Sequence, residues 1–405
     1  MKILYSIGIY VYGVFIFLAS LFNEKARLLR RGQRVAFDLL KEKADPKARY
    51  VWFHAASLGE FEQGRPVIEQ LKREQPGIKI LLTFFSPSGY EVRKNYAGAD
   101  LVSYLPLDTP GNAARFVKLV KPSKAIFIKY EFWPNYLLAL KAADVPVYSI
   151  SAIFRPEQVF FKGYGKWYLN LLSTFRHLFV QDQVSLDLLE KNGVKNASVC
   201  GDTRFDRVYD LYTRAKQLPL IEEFIKGAEK VIVAGSTWPK DEEILVRYLK
   251  LHPDIKLILV PHEIQSSHIS EISKLLDGKF VRYSEANQGN VQTTNCLVVD
   301  VIGILSSIYR YANVAYIGGG FGVGIHNTLE AAVYGIPVVF GPVYQKFREA
   351  RGLIAIGGAF SIPNYVILEA QFDRLLKDNR AGKLAGDYVK QNTGATNQIC
   401  KIIGQ

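Results

Sequence analysis

Two glutamates follow directly on apolar runs of the chain, a position that suits proton transfer. Glu60 comes after the run Arg49–Ala55, and Glu131 comes after the run Ala125–Lys129. Both runs read as buried strands, and in open α/β sheets ligands bind at the carboxyl ends of strands. A carboxylate there can take a proton from a substrate hydroxyl. The residues leave a structural alternative open, in which Glu60 is a first-turn helix charge and Glu131 an N-terminal charge before Pro134.

A glycine-rich stretch late in the chain indicates a phosphate-like ligand. The apolar run Val314–Ile317 leads into five glycines, and a helical pattern then runs from Asn327 to Tyr334. The glycines are Gly318, Gly319, Gly320, Gly322 and Gly324. Glycine lets the backbone approach a ligand closely, and a helix start offers unpaired N–H groups to an anion. The spacing matches neither a dinucleotide fingerprint nor a Walker loop. The alternative is a tight turn in which Asn327 and Glu330 form a capping box, although five glycines exceed what a turn needs.

Further polar residues follow predicted strands and are candidates for ligand contacts. Ser236, Thr237 and His262 do so in the second half of the chain. Arg155 and Arg204 could pair a carboxylate or a phosphate with two hydrogen bonds each. A lone loop histidine or a single surface arginine is more often structural, and that alternative stays open for these residues.

Composition and motifs exclude several classes of chemistry. The three cysteines, Cys200, Cys296 and Cys400, are far apart and match no metal spacing or disulfide framework. No acidic pair follows a strand in the pattern of a metal-assisted diphosphate site, and no GxSxG elbow is present. The formal net charge of +13 indicates an anionic partner, such as a phosphorylated substrate, an acidic lipid surface or nucleic acid.

Apolar runs alternate with helical patterns along most of the 405 residues, and the alternation restarts after residue 206. This pattern predicts two Rossmann-like α/β domains facing a cleft, the GT-B architecture. We expect the first domain over 23–205 and the second over 206–405, with a C-terminal helix able to pack back on the first domain.

Residues 3–22 carry no charge, and five basic residues follow within 25–34, against Lys2 alone on the other side. The length suits a membrane helix, and the charge bias places the rest of the chain in the cytoplasm. We therefore expect a membrane anchor over 1–22, either spanning the bilayer or lying in it.

Several segments taken together resemble the bacterial 3-deoxy-D-manno-octulosonic acid (Kdo) transferases that act on lipid A. The motifs are HAASLGE (His54–Glu60), TFFSPSG (Thr83–Gly89), YLPLDTP (Tyr104–Pro110), EFWPN (Glu131–Asn135), GDTRFDRV (Gly201–Val208), AGSTWPKDEE (Ala234–Glu243), VPHE (Val260–Glu263) and GGGFGVGIHNTLEAAVYGIPVVFGP (Gly318–Pro342). They extend from the N-terminal segment to about residue 353. The first, the fourth and the last are specific in combination.

The resemblance implies a metal-independent, inverting GT-B glycosyltransferase without a cofactor. It would move Kdo from CMP-Kdo to the lipid A precursor lipid IVA in lipopolysaccharide biosynthesis at the cytoplasmic side of the inner membrane. By the same resemblance Glu60 is the general base and Glu131 a second acidic residue supporting the acceptor site. The implied donor contacts are Ser236, Thr237, His262, Gly319, Gly320, Gly322, Asn327 and Glu330, with Glu330 on the ribose hydroxyls.

Two other functions remain as alternatives. One is a membrane-associated GT-B transferase that uses UDP-GlcNAc on a lipid-linked acceptor. The other is a basic, membrane-tethered protein that binds nucleic acid, which is disfavoured because no known module spacing of basic and aromatic residues occurs. We expect no nucleic-acid partner.

Overall fold

The computed structural model describes residues 1–404, and the chain divides into two compact units. Unit 1 contains residues 1–207 together with the C-terminal segment from Thr393, and unit 2 contains residues 208–392. The second domain, which the sequence analysis carried from residue 206 to the end of the chain, thus ends at Asn392 in the structure.

Unit 1 is built on a seven-stranded sheet in which every strand is parallel to its neighbours. The strands are β1 (Tyr50–Ala55), β2 (Lys79–Phe84), β3 (Leu101–Tyr104), β4 (Lys124–Ile128), β5 (Val147–Ala152), β6 (His177–Val180) and β7 (Ala197–Val199). Their order in the sheet is β3-β2-β1-β4-β5-β6-β7. The chain reverses its direction of winding after β3, so the loops after β1 and β4 lie side by side at the switch point where such sheets bind ligands.

Helices connect these strands, and several begin at a proline, whose missing N–H costs nothing at a first helical position. The helices are α1 (Lys2–Ala19), α2 (Glu24–Lys43), α3 (Leu58–Glu74), α4 (Pro87–Arg93), α5 (Pro110–Val120), α6 (Pro134–Ala142), α7 (Lys166–Leu171), α8 (Gln183–Lys191) and α9 (Thr203–Thr213). The side chains of Asn23 and Thr109 cap α2 and α5. The unit boundary falls within α9.

The central strand β1 is buried on both of its faces. Val51, Phe53 and Ala55 pack in one apolar cluster with α3, while Tyr50 and Trp52 pack in another with α5 and α6. Burial on both faces is typical of parallel sheets and explains why the run is continuously apolar.

Unit 2 has a second parallel seven-stranded sheet. Its strands are β8 (Lys230–Thr237), β9 (Ile255–Pro261), β10 (Val281–Arg282), β11 (Cys296–Val298), β12 (Val314–Ile317), β13 (Val338–Phe340) and β14 (Ala359–Ser361). Their order is β10-β11-β9-β8-β12-β13-β14. The two sheets confirm the predicted pair of Rossmann-like domains.

The helices of unit 2 are α10 (Pro219–Phe224), α11 (Pro239–Leu251), α12 (Ser266–Leu275), α13 (Leu305–Ile308), α14 (Leu329–Ala332), α15 (Arg348–Ala355), α16 (Tyr365–Leu375) and α17 (Arg380–Gln391). Helices α11, α12 and α16 share an apolar cluster with that sheet. The helix predicted from Asn327 to Tyr334 is wrong in extent, because α14 has only four residues and starts two positions later.

The last helix, α18 (Ala395–Ile403), belongs to unit 1. Its residues Ile399 and Ile403 are buried in the apolar cluster that contains α3. The carboxylate of Asp206 accepts a hydrogen bond from the backbone N–H of Gly394 at 2.6 Å, which fixes the start of α18 beside the end of the first segment of unit 1.

Helix α1 is, among residues 1–404, the one helix long and apolar enough to cross a membrane. Ser6, Ile9 and Ile16 are buried against unit 1. The rest of the helix surface exposes large apolar residues, namely Ile3, Leu4, Ile7, Tyr10, Val11, Tyr12, Val14, Phe15, Phe17 and Leu18. The predicted anchor is therefore a helix with one docked face and one exposed apolar face.

Candidate active site

Glu131 lies in the loop after β4, and its carboxylate is held by two ring nitrogens. Trp133 Nε1 donates a hydrogen bond to Glu131 Oε2 at 2.6 Å, and His54 Nε2 lies 3.1 Å from the same oxygen. Trp133 Nε1 is also 3.1 Å from His54 Nε2, so the three groups form a triangle. The carboxylate is therefore fixed in one orientation at the carboxyl end of the sheet.

The far side of the His54 ring is held in turn by the neighbouring strand. His54 is fully buried in β1 and pairs in register with Thr83 of β2. Its Nδ1 lies 2.9 Å from Thr83 Oγ1, which accepts a hydrogen bond from Trp52 Nε1 at 2.7 Å. His54 lies within the first motif but was not predicted to have a role of its own. Its signal was a polar residue inside an otherwise apolar strand.

Glu60 lies in the first turn of α3, as its position in the sequence predicted. Ser57 precedes the helix as its N-cap residue, yet the Ser57 hydroxyl donates to the Glu60 carboxylate and makes no cap to the helix N–H groups. Glu60 is half-buried and carries no ion pair to another residue among 1–404. Its first-turn position also suits the helix dipole, so the structural and catalytic interpretations are compatible.

Two positive charges lie near the ring of Tyr130, a residue on which the charge of Glu60 also acts. The Lys129 ammonium lies 5.3 Å from the ring centroid, and the Arg155 guanidinium lies 5.9 Å from it. Burial raises the pKa of Tyr130, the charge of Glu60 adds to the rise, and the charges of Arg155 and Arg204 oppose it. An anionic group of a substrate would find two cations beside a carboxylate here.

Lys129 was missed by sequence reasoning, because its position depends on the backbone. It adopts φ +67°, the left-handed region that non-glycine residues rarely occupy, immediately after β4. Such strained residues are concentrated at functional sites. Arg204, by contrast, already binds the carboxylate of Asp202, with Nε at 2.9 Å and Nη2 at 2.7 Å from Oδ2. Arg155 is therefore the better placed of the two predicted anion contacts.

In unit 2, β8 ends in Ser236 and Thr237, and the two hydroxyls differ in their surroundings. The Thr237 hydroxyl is buried and donates to Glu242 Oε1 at 2.9 Å, so it serves the fold. Glu242 in turn lies 2.9 Å from His268 Nε2. Ser236 has φ +54° and is only partly buried, which leaves it as the group at this strand end that can meet a ligand.

Three aromatic rings pack together in the loops that follow β8, β9 and β12, and Trp238 is the one that was not predicted to contribute. Trp238 and His262 are stacked with centroids 4.9 Å apart, and His262 and His326 are 4.5 Å apart. Trp238 Nε1 donates to His326 Nε2 at 3.3 Å. Burial, followed by the nearby charge of His262, lowers the pKa of His326 to about 4. His326 is therefore neutral near pH 7, and the His262 ring, which contacts both of the others, is exposed.

Asn327 and Glu330 interact directly, but they do not form the predicted capping box. Asn327 Oδ1 accepts from the N–H of Leu329 at 3.1 Å, and Asn327 Nδ2 donates to Glu330 Oε1 at 3.0 Å. Thr328 occupies the N-cap position of α14. Asn327 thus both satisfies the helix start and orients the Glu330 carboxylate.

Most glycines of the loop have a structural reason. A Cβ on Gly318 would lie 2.2 Å from the carbonyl oxygen of Ser236, and one on Gly320 would lie 2.6 Å from the Gly341 backbone. Gly319 and Gly324 have φ of +90° and +101°. Gly322 alone among the five has open space around it and no positive φ. It is therefore the glycine of this loop at which a ligand can approach the backbone most closely.

Two parallel Rossmann-like sheets, each with polar and charged groups at the carboxyl ends of its strands, define the GT-B class. Solved structures agree on the fold. This chain is similar to a UDP-GlcNAc 2-epimerase from Methanocaldococcus jannaschii, with a TM-score of 0.54, 14% identity, and 84% and 98% of the two chains covered. It is also similar to HepE from Anabaena in complex with UDP-glucose, with a TM-score of 0.51, 14% identity, and coverage of 88% and 100%.

Sequence comparison identifies the family. The profile described as 3-deoxy-D-manno-octulosonic-acid transferase (kdotransferase) matches residues 29–207. The 3-deoxy-D-manno-octulosonic acid transferase of Aquifex aeolicus is 31% identical over 355 residues, covering 84% of this chain and 92% of the relative. That of Haemophilus influenzae is 26% identical over 377 residues, with coverage of 88% and 87%. The chain belongs to the Kdo transferase family and is a glycosyltransferase of lipopolysaccharide biosynthesis, which confirms the resemblance seen in its motifs.

Proposed function

We propose that this protein transfers Kdo from CMP-Kdo to lipid IVA, with Glu60 as the general base. The observation that carries the proposal is the Glu60 carboxylate in the first turn of α3, held by Ser57 and acting on the same tyrosine, Tyr130, whose ring the cations Lys129 and Arg155 flank. Family membership supports Kdo as the transferred sugar. The acceptor is an acylated, bisphosphorylated disaccharide, and the two cations suit one of its phosphates.

In the proposed reaction Glu60 removes the proton of an acceptor hydroxyl while the oxygen attacks the anomeric carbon of Kdo. The bond from that carbon to the phosphate oxygen breaks, and CMP leaves with the electron pair. Attack opposite to the leaving group inverts the configuration. Glu131 takes no part in the proton transfer of this scheme. Its carboxylate, fixed by Trp133 and His54, positions the acceptor by hydrogen bonding.

Unit 2 supplies the proposed donor site. Glu330, oriented by Asn327, accepts from the ribose hydroxyls, and the ring of His262 stacks on the cytosine. The backbone at Gly322 has room for the phosphate. Ser236 contacts the same group from the end of β8. The leaving CMP carries one phosphate, whose charge N–H groups can stabilise.

We also propose that unit 1 binds the cytoplasmic face of the inner membrane through α1. The exposed side of this helix is apolar, and the turn that follows it exposes Phe22 by 91%. Arg27, Arg30, Arg31 and Arg34 then follow at helical spacing in α2 and line a shared surface pocket. Each basic residue near an anionic surface contributes about 1 kcal/mol. We infer an interfacial helix and not a spanning one, because α1 contacts the rest of unit 1 from Tyr5 to Ile16, a length of about 16 Å.

Mass spectrometry of lipid IVA after incubation with the enzyme and CMP-Kdo tests the function. The expected result is an added mass of one or more Kdo residues, and the number of additions gives the processivity. UDP-GlcNAc replaces CMP-Kdo in a parallel reaction. A product with UDP-GlcNAc and none with CMP-Kdo would overturn the proposal.

A further inference from the structure

Helix α1 makes specific contacts that membrane binding does not require. Its docked residues Tyr5, Ser6, Ile9 and Ile16 lie on one face by helical spacing, and Tyr12, which is 41% exposed, lies at the edge of that face with its ring beside Phe85. An anchor needs only an apolar exposed surface, which the opposite face of α1 supplies. The docked face instead includes hydroxyl groups and rings with defined partners.

The first set of contacts fixes the start of α6. The Tyr5 hydroxyl donates to Asp108 Oδ2 at 2.8 Å. Asp108 is buried, and it also accepts from the N–H groups of Asn135 at 3.1 Å and of Tyr136 at 2.9 Å. These are the unpaired N–H groups at the start of α6, so Asp108 caps that helix from a distant loop. The N-terminal helix and α6 therefore share one carboxylate.

The second set of contacts runs through rings. Tyr12 is stacked with Phe85 at a centroid distance of 6.3 Å and an interplanar angle of 18°. Phe85 packs on Trp133 at 5.0 Å. Trp133 is the residue whose N–H holds Glu131. The two sets of contacts thus converge on residues 131–136.

We propose that α1 is a positioning element for the acceptor site, in which Tyr5 and Tyr12 hold the Glu131 loop in its working conformation. The inference rests on the proposed function to the extent that Glu131 acts in transfer. If this role is correct, the enzyme is fully active only when α1 is packed against the rest of unit 1. Tyr5 and Tyr12 are then positioning residues that act through Asp108 and Trp133.

The burial of Asp108 agrees with this role. Burial raises its pKa to about 7, and the hydrogen bonds from Tyr5, Asn135 and Tyr136 act in the opposite direction. The carboxylate thus depends on all three donors, one of which comes from α1.

Full-length variants at two tyrosines separate positioning from anchoring. Tyr12→Leu removes the ring from Phe85 and keeps an apolar residue, while Tyr10→Leu makes the same change two positions away, where Tyr10 is 57% exposed. Tyr5→Phe removes only the hydroxyl, with Tyr10→Phe as its control. Transfer is measured on detergent-dispersed lipid IVA, and membrane binding is measured with vesicles containing anionic phospholipid.

Positioning predicts that Tyr12→Leu and Tyr5→Phe lower kcat about 10- to 100-fold in detergent, because small displacements of aligned groups have effects of this size. The KM for CMP-Kdo and vesicle binding stay at the wild-type values, and both Tyr10 variants keep wild-type kcat. If kcat in detergent is unchanged, or falls only in proportion to vesicle binding, α1 is an anchor alone and the proposal is overturned.

A second measurement does not depend on activity. The chain has four tryptophans, so ¹⁵N-labelling of tryptophan gives four indole N–H signals, of which the Trp133→Phe variant identifies one. Tyr12→Leu should shift the Trp133 signal, and Tyr10→Leu should not. An unshifted Trp133 signal in Tyr12→Leu overturns the positioning role even if transfer from CMP-Kdo is never detected, whereas a shift without transfer refutes only the proposed function.

Discussion

His54 Nε2 lies 3.1 Å from Glu131 Oε2, although 77 positions separate the two residues in the chain. Parallel pairing of β1 with β4 brings them together, and Thr83 holds the imidazole from behind. A buried ring fixed at both nitrogens is a rigid support for a carboxylate. The geometry of the acceptor site therefore depends on residues deep in the sheet.

Glu60→Gln should lower turnover about 10²–10⁴-fold, the usual contribution of a general base, with little change in CMP-Kdo affinity. Glutamine can still accept the hydrogen bond from Ser57 but cannot take a proton at neutral pH. Steady-state kinetics and donor binding on the same preparation measure both effects. Glu62→Gln, a change in the same helix at a residue paired with Arg93, is the control. Wild-type turnover in Glu60→Gln would leave Glu60 with its structural role only.

Thr83→Val should lower the free energy of unfolding by about 1–3 kcal/mol and also reduce turnover, because it leaves Trp52 Nε1 without a buried partner and leaves His54 Nδ1 only the backbone carbonyl of Thr83, at 3.2 Å. Urea unfolding and kinetics are the measurements. Ser103→Ala is a matched control, since Ser103 is buried opposite Thr83 in the next strand and donates only to the carbonyl of Tyr104. Loss of stability with full turnover would show that His54 does not position Glu131.

Gly320→Ala and Gly322→Ala should separate structural from ligand-binding glycines. The new methyl group at residue 320 meets the Gly341 backbone at 2.6 Å and should destabilise unit 2. At residue 322 it meets nothing, so the melting temperature should stay within about 1 °C of wild type, as expected for a surface change of a few tenths of a kcal/mol. CMP affinity of Gly322→Ala, measured by calorimetry, should nevertheless fall. Unchanged affinity would remove Gly322 from the donor site.

Stability of unit 2 should fall as the pH is lowered from about 6.5 towards 4, in part through His326. Burial lowers its pKa to about 4 in the folded state. Between these pH values the unfolded chain therefore binds more protons, and stability rises with pH. His326→Gln removes this contribution, so urea midpoints at pH 5 and pH 7 should differ less in the variant than in wild type. Equal differences would mean that His326 titrates normally.

The sequence was most informative where one physical signal dominated. Continuous apolar runs such as Tyr50–Ala55 identified strands, because both faces of a parallel sheet are buried. The strands β7 (Ala197–Val199) and β14 (Ala359–Ser361) are harder to recognise, because each contains a serine and three residues show no period. The helix after the glycine loop was overestimated, because its pattern continues into residues that form a turn.

The sequence allowed us to predict that site residues follow strands, but not which partners their side chains contact. Glu60 and Glu131 could be selected because they follow strands. The sequence does not show which hydroxyl groups are available to a ligand. In the structure the Thr237 hydroxyl is buried and bonded to Glu242, whereas Ser236 is partly exposed. The left-handed conformation of Lys129 depends on the folded backbone. It could not be predicted from the residue type, because lysine has no preference for positive φ.

The place of α18 in unit 1 has a consequence for synthesis on the ribosome. Residues 208–392 are translated between the two parts of unit 1, at about 5–20 residues per second, so roughly 10–40 s pass before α18 emerges. During that time the side chains of α3 that Ile399 and Ile403 will cover remain uncovered. In newly synthesised chains this apolar face of unit 1 is therefore exposed, and accessible to chaperones, until unit 2 has been translated.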